Sequence, residues 1–388
     1  MVEFSHRLAL VLVLMVSASP LATGGTASAT ASSGTATDMS AGGQHACAIT
    51  PSKRLKCWGD NTYGQLGIGG DLSDQLVPVR VPRLRGVRFV DVGDYVTCAI
   101  VAHGGLKCWG DNDVGQVGDG TTQDRHKPTP VIGLAHGVVA VSVGSYHVCA
   151  ALTSGRVKCW GQNFYGEAGT GTSGTEYHTP KLVKNIQSAT QVSAGDSYTC
   201  ATVNSKAKCW GANYYGALGD RTVQPRDKPT QVYGLTSGVK QVIAGYRTTC
   251  AILVRGRLKC WGDNSDGAVG TGTSGNEYHR PVQVLGMTRG VTSVDTDADV
   301  TCAVKNARAK CWGANFSYQL GDGTTDPKDV PNQVSGLTRG VRQIKTGLFH
   351  GCALKNNGVV RCWGGNQAGE VGIGSLSPQV PIPKRVHL

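Results

Sequence analysis

The sequence predicts an all-β fold, closed into a ring of small repeated units as in a propeller or a similar array. Three observations carry this. The tripeptide Cys-Trp-Gly occurs seven times, and its tryptophans, Trp58, Trp109, Trp160, Trp210, Trp261, Trp312 and Trp363, are the only ones in the chain, spaced 50 or 51 residues apart. A period near 50 with a hairpin-like unit in each copy marks propellers rather than helical arrays. Each motif cysteine has a second cysteine nine or ten residues upstream, so all 14 cysteines fall into seven pairs. The 55 glycines recur at fixed places in each copy, as turn residues do, without a collagen period. A chain of 388 residues ordinarily divides into two or three domains. The regular period argues instead for one large domain.

The first segment reads as an address. Arg7 supplies positive charge, residues 8–16 are an unbroken apolar run, Pro20 breaks it, and Ala27-Ser28-Ala29 offers a small-residue cleavage site. That run suits a secretory signal and is too short to span a bilayer. The expected organisation is a signal peptide over 1–29, a flexible Thr/Ala/Ser/Gly lead-in over 30–37, and the repeat domain over 38–388. The first cysteine, Cys47, already lies inside the first repeat, and no apolar segment near the C-terminus suits an anchor. The expectation is a secreted, extracellular protein without a membrane anchor, in an oxidising compartment that fits the even cysteine count.

The second copy shows the unit. Residues 87–92 alternate apolar and polar with period two, a strand signal. Gly93-Asp94 turns the chain, and residues 95–101 form a second strand containing Cys98. His103-Gly104-Gly105 turns it again into a third strand, Leu106 to Trp109, ended by Gly110. A polar, Gly-rich passage over 111–124 leads to a weaker fourth strand near 128–132. Cys98 and Cys108 stand equally far from the tight turn, so they face each other across the ladder, within disulfide range. Closing so small a loop contributes about 2–3 kcal/mol in the chain-entropy account. Zinc is the rival reading, but the pairs lack the close ligand spacing that a zinc site needs. The expected pairs are Cys47–Cys57, Cys98–Cys108, Cys149–Cys159, Cys200–Cys209, Cys250–Cys260, Cys302–Cys311 and Cys352–Cys362. No metal site is expected.

Two residues after each Cys-Trp-Gly stands an asparagine: Asn61, Asn112, Asn163, Asn213, Asn264, Asn315 and Asn366. Asparagine bonds its own backbone in turns, and the glycines behind it supply positive φ. Residues repeated seven times serve architecture, so the tryptophans are expected to pack between neighbouring units.

The shared pattern is a Val-rich strand, a Cys-Ala-Ile/Leu strand, then Cys-Trp-Gly-x-Asn-x-x-Gly-x-x-Gly. It is seen in Cys98-Ala-Ile100 with Cys108-Trp-Gly-Asp-Asn-Asp-Val-Gly115, and in Cys149-Ala-Ala-Leu152 with Cys159-Trp-Gly-Gln-Asn-Phe-Tyr-Gly166. This resembles the regulator-of-chromosome-condensation repeat family over residues 37–388. The resemblance implies a seven-bladed β-propeller, here closed by pairing of the last segment, 380–388, with the first blade. The chain is also similar in repeat type and address to the secreted bacterial β-lactamase-inhibitor propellers, whose repeats lack these cysteine pairs. Copy six departs from the pattern: Asp297 and Tyr318 stand where glycine is usual. Copies three and five share a loop ending in Glu176-Tyr-His178 and Glu277-Tyr-His279, read as repeat duplication rather than a metal site.

Function must lie where the copies differ, in the turns on the rims. The turn before each first cysteine holds Tyr95, Tyr146, Tyr198, Tyr246 with Arg247, and Phe349, residue types suited to a protein-binding hot spot. No nucleophile elbow, HExxH or Walker loop is present, so no catalytic residue and no cofactor are expected. The net charge of +12 is spread singly through the sequence with no run of five, which argues against nucleic acid. The expected function is a secreted, non-catalytic, monomeric propeller that binds a protein partner through one rim, such as an enzyme or an envelope component. Guanine-nucleotide exchange on a small GTPase and cell-wall glycan binding are the alternatives.

The cysteine assignment is tested by intact mass. Alkylation of the native protein is expected to add no mass, whereas alkylation after reduction labels all 14 cysteines.

Overall fold

The computed structural model describes residues 34–375 and 377–388. The expected signal segment, 1–29, lies outside the described residues.

Each repeat folds as a four-stranded antiparallel meander because its short apolar runs alternate with turn residues. The second copy forms β5 (Phe89–Val92), β6 (Val96–Ile100), β7 (Leu106–Gly110) and β8 (Arg125–Pro130). The weak fourth strand thus begins three residues earlier than its apolar content suggests, with Arg125 opposite Gly110. Seven such sheets, β1 to β28 in chain order, make seven blades. The first strands are β1 (Asp38–Gly42), β5, β9 (Val138–Val143), β13 (Ala189–Ala194), β17 (Val239–Ala244), β21 (Val291–Asp297) and β25 (Val341–Thr346). Each touches the next, and β25 touches β1, so they line the axis of a closed ring. Among the described residues no helix is long and apolar enough to cross a membrane.

The seven cysteine pairs lie at disulfide distance, in register across the second and third strands, with Cα atoms 4.1 Å apart. All are buried. The hydrophobic core is divided into clusters that sit between blades. One joins Ile49 and Leu55 of the first blade to Val90, Val92 and Trp109 of the second.

Tryptophan is the joint. Every indole is fully buried, and each Nε1–H donates to a backbone carbonyl of the preceding blade at 2.8–2.9 Å. Trp109 reaches Gln65 and Trp160 reaches Gln116. Trp58 reaches Glu370, closing the circle. Two residues beyond each acceptor is a glycine in the left-handed region, and a Cβ there would lie 2.5–2.7 Å from the indole nitrogen. The asparagine holds that loop in place. Its Oδ1 accepts the N–H five residues on, at 2.8–3.0 Å, and its Nδ2 donates to a carbonyl nine or ten residues on.

Closure brings the terminal segments together, but not by adding the last strand to the first sheet as expected. β28 (Gln379–Arg385) is the outer strand of the seventh blade, paired with β27 (Val360–Gly365), and the first blade is complete within residues 38–80. The segment before β1 instead crosses to the last blade, where the Ala36 N–H donates to the Gly358 carbonyl at 2.7 Å. Ala36 and Met39 also pack against Leu354 and Val386. The physical reason is phase: all four strands of each copy are contiguous in sequence, so no sheet lacks a strand for the C-terminus to fill.

A ring of polar side chains surrounds the axis. Ser40, Asp91, Ser142, Ser193 and Asp295 each accept a backbone N–H from the next blade's first strand, at 2.9–3.3 Å. Lys345 stands in the same position of the seventh blade, where it cannot accept. Its buried ammonium lies 4.0 Å from Asp91 and 3.7 Å from Asp295 across the ring.

Replacing Gly118 with alanine adds a Cβ against Trp160 at a φ of +77°, whereas Gly70 has open space around it. Gly118→Ala is expected to cost about 2–4 kcal/mol and Gly70→Ala less than about 0.5 kcal/mol, read by denaturant unfolding.

Candidate protein-binding rim

A meander sends alternate turns to opposite ends. The turn between first and second strands and the loop between third and fourth strands therefore share one face of the ring. The turn positions three residues before the first cysteine are Gln44, Tyr95, Tyr146, Ser197, Arg247, Asp299 and Phe349.

Five of the six expected binding residues stand on this face. Tyr95 and Tyr146 are half-buried, and Phe349 is 38% exposed. Tyr246 and Arg247 are half-buried at the mouth of a cleft. Tyr198 lies beneath them, withdrawn from solvent in the floor of that cleft. It is 2% exposed, its hydroxyl lies 3.0 Å from the Thr248 carbonyl and 2.9 Å from Thr249 Oγ1, and it accepts the Gly245 N–H. Tyr198 is one residue closer to its cysteine than Tyr95 or Tyr146 is to its own, and a one-residue shift along a strand turns a side chain to the other side. It shares its position with the buried His45, His147 and His350, and is an inter-blade residue like them.

The third-to-fourth-strand loops add aromatics that sequence reasoning assigned to turn structure. Tyr63, Phe164, Tyr165, Tyr214, Tyr215 and Phe316 occupy the two positions after the loop asparagine. Those are the variable sites of an otherwise repeated motif, and that variability was the available signal. Phe316 is 66% exposed and Tyr214 55%. The Tyr63 and Tyr95 rings meet at 5.1 Å across two blades, and Tyr165 meets Tyr214 edge-on at 5.5 Å. The Arg247 guanidinium lies 4.5 Å from both the Tyr215 and Tyr246 rings, bonds the Tyr246 hydroxyl at 3.0 Å, and sits 3.8 Å from Asp263. A cation held between two rings is fixed in place at low entropic cost. Arg247, Tyr215 and Tyr246 line, with Tyr165, Ser197, Tyr198 and Tyr214, a cleft of about 170 Å³ across blades three to five.

Copy six is irregular as expected. Asp297 is buried at the end of β21, Ala298 and Asp299 take positive φ, and Tyr318 adopts a φ of +60° where the other copies have glycine. The repeated Glu-x-His loops stay on outer strands, where Glu176 lies 3.6 Å from His178 and Glu277 2.9 Å from His279.

Burial shifts the acids of this face. Desolvation pushes Asp111 up to about 6, with Asp113 and Asp124 adding repulsion against hydrogen bonds that oppose it. Asp299 is pushed to about 6 by burial and by Asp263. Glu370 is raised to about 7, mainly by burial. Tyr95 is raised to about 12 by burial, then by Asp94. A carboxyl raised in the folded state costs stability as pH climbs from its unfolded value of 4.5 through about 7, and nothing below that window. Gln65 and Gln116 hold the position of Glu370 in the first two blades. Glu370→Gln is therefore expected to stabilise the protein by about 1–3 kcal/mol at pH 8, a gain that vanishes at pH 4, measured by thermal unfolding at both values.

Known proteins share this architecture. The Regulator of chromosome condensation (RCC1) repeat matches at residues 55–100, 103–151, 154–202, 209–252 and 311–354, with a second form of the same repeat at 36–65, 87–116, 138–167, 239–268 and 341–370. The chain is 31% identical over 171 residues to mouse "Probable E3 ubiquitin-protein ligase HERC4", covering 43% of this chain and 16% of that protein. It is 32% identical over 168 residues to the Arabidopsis thaliana "Ultraviolet-B receptor UVR8", covering 42% and 38%. The chain thus spans well under half of these relatives. In fold it is similar to human WBSCR16, with a TM-score of 0.77 at 23% identity over 86% of this chain and 95% of that one. It is also similar to Prp20p of Saccharomyces cerevisiae, with a TM-score of 0.73 at 18% identity over 91% and 87%. The family repeat recurs around the whole ring, with the inter-blade tryptophan and the loop asparagine in every copy, and the chain belongs to the regulator of chromosome condensation repeat family.

Proposed function

We propose that this propeller is a secreted, non-catalytic binding protein whose aromatic rim engages a protein partner. The observation that carries the reading is Arg247 held between Tyr215 and Tyr246 at the edge of a cleft, with exposed Tyr214 and Tyr165 beside it. Tyrosine and arginine in such a setting bury large area with few rotors to freeze, which is how binding hot spots work. The seven cysteine pairs support an oxidising destination. The yeast neighbour Prp20p is described by its binding to Gsp1p and histones, so a propeller of this shape serves protein recognition there. The sequence motifs of the common hydrolases are missing, which supports a binding role over a catalytic one.

The test is capture from culture supernatant and envelope extract on the immobilised, oxidised protein, with a Tyr214→Ala/Arg247→Ala variant beside it. The captured protein is then titrated against both forms. The variant is expected to bind at least about 30-fold more weakly, the loss of one hot spot of about 2 kcal/mol, while unfolding at the wild-type temperature. Equal affinity sinks the rim assignment. Accelerated nucleotide release from a small GTPase replaces the proposal with the exchange-factor reading.

A further inference from the structure

The face opposite the aromatic rim has a composition of its own. It is made of the turns between second and third strands and the connections from each fourth strand to the next blade, ending in residues 386–388. These stretches contain 11 Lys or Arg and no Asp or Glu. The turns and loops of the aromatic face contain 16 Asp or Glu and two Lys or Arg. The ring is therefore a charge-polarised disc. Ten of the 11 basic residues are exposed, Arg54 being half-buried. Among the described residues none of the 11 forms an ion pair, since no carboxylate is placed to meet them. The strands bring further cations to this side: burial, then Arg257 and Arg280, hold the Lys259 ammonium below its usual range, and burial, then Lys305 and Arg308, do the same for Lys310.

Two of these side chains sit where the fold asks for glycine. The connection after the fourth strand has glycine at Gly133, Gly234, Gly286 and Gly336, with φ of 68–69°. The first blade places Arg83 there, at φ 58°. In the second-to-third-strand turn, Gly155 and Gly358 take φ of 73° and 79°, and the first blade has Lys53 at φ 56° with the same backbone hydrogen bond. A long cation in the left-handed region works against backbone preference, so the backbone itself gives no reason for either side chain.

We propose that this basic face is an electrostatic docking surface for an anionic lipid bilayer. The spread of the charges selects a bilayer over a linear polyanion. The basic residues come from turns of two to five residues and short connections spaced around the disc, from Lys53 and Arg83 in the first blade to Arg255 and Arg257 in the fifth and Arg339 in the sixth. The charges are thus spread over several blades around the axis rather than aligned along one track. Tyr233 is the only aromatic among the 14 stretches, so the face lacks the stacking platform that single-stranded nucleic acid requires. Each Lys or Arg brought to an anionic leaflet strengthens binding by about fivefold, and the aromatic rim is then turned toward solvent, open to its partner.

The experiment is co-sedimentation of the full oxidised protein with phosphatidylcholine vesicles, with and without phosphatidylglycerol, in about 0.1 M and about 1 M salt, where the screening length falls from about 10 Å to about 3 Å. Binding is expected only with phosphatidylglycerol and only at the lower salt. Lys53→Gly/Arg83→Gly is expected to weaken it about 25-fold, at about fivefold per residue, with an unfolding temperature no lower than wild type, since glycine is what other blades use. The Tyr214→Ala/Arg247→Ala variant is expected to sediment like wild type, which separates this proposal from the rim. Failure to bind phosphatidylglycerol vesicles, or full binding by the double-glycine variant, overturns the proposal. A DNA duplex that binds at least as tightly as the vesicles overturns it in favour of nucleic acid.

Discussion

The indole N–H of each tryptophan, donated to a carbonyl of the preceding blade, is the bond on which the rest of the molecule depends. It is made seven times, and the seventh joins Trp58 to Glu370. Each bond is worth about 1 kcal/mol, yet its geometric consequence is larger. The acceptor loop must descend between two blades to offer its carbonyl, so it needs glycine beneath the ring and an asparagine to hold its two arms together. In four blades a threonine of the second strand bonds the same carbonyl, at 2.7–3.0 Å. A single joint thus fixes the glycine pattern, the asparagine, and the place where the loop re-emerges on the rim.

The two faces follow from that frame and from the parity of the meander. Hairpin turns alternate between ends, so every second turn in sequence belongs to the same face. The framework repeats, which leaves the turns free to vary, and they vary in opposite directions. One face gathers carboxylates and aromatic rings around a held arginine, and the other gathers cations without a counter-ion. Between them the axial ring of serines and aspartates ties the first strands together. Lys345 breaks that pattern and offsets its charge with two buried carboxylates. The rim and the basic face point in opposite directions, so a partner on one leaves the other unobstructed.

Sequence reading found the rim through the turn before each cysteine, and it located Tyr95, Tyr146, Tyr246, Arg247 and Phe349 on it. It read Tyr198 as a surface residue, whereas one residue of offset turns that side chain inward beneath the cleft, and only the ladder register with Gly211 shows this. It passed over Tyr214 and Tyr215 because they follow the structural asparagine, where a turn role accounts for the backbone but not for the rings. Arg247 was legible as a rim residue. Its clamp between two tyrosines of different blades was not, since Tyr215 lies some thirty residues upstream.

The amino-acid sequence by itself determined the unit: its strands, its cysteine register, its turn glycines, and the sevenfold count that makes a ring. Those features are local, set by periodicities and turn preferences that act over fewer than 51 residues. What only the tertiary structure decided is what distant residues do together. Ring closure turned out to be a crossing of the N-terminal segment onto the last blade rather than a shared sheet. The +12 charge, scattered singly along the chain, became one cationic face and one acidic face. The physical reason is the same in both cases. A side chain's neighbours across blades are separated by some 50 residues of sequence, and no short-range preference encodes which end of a strand will stand beside which.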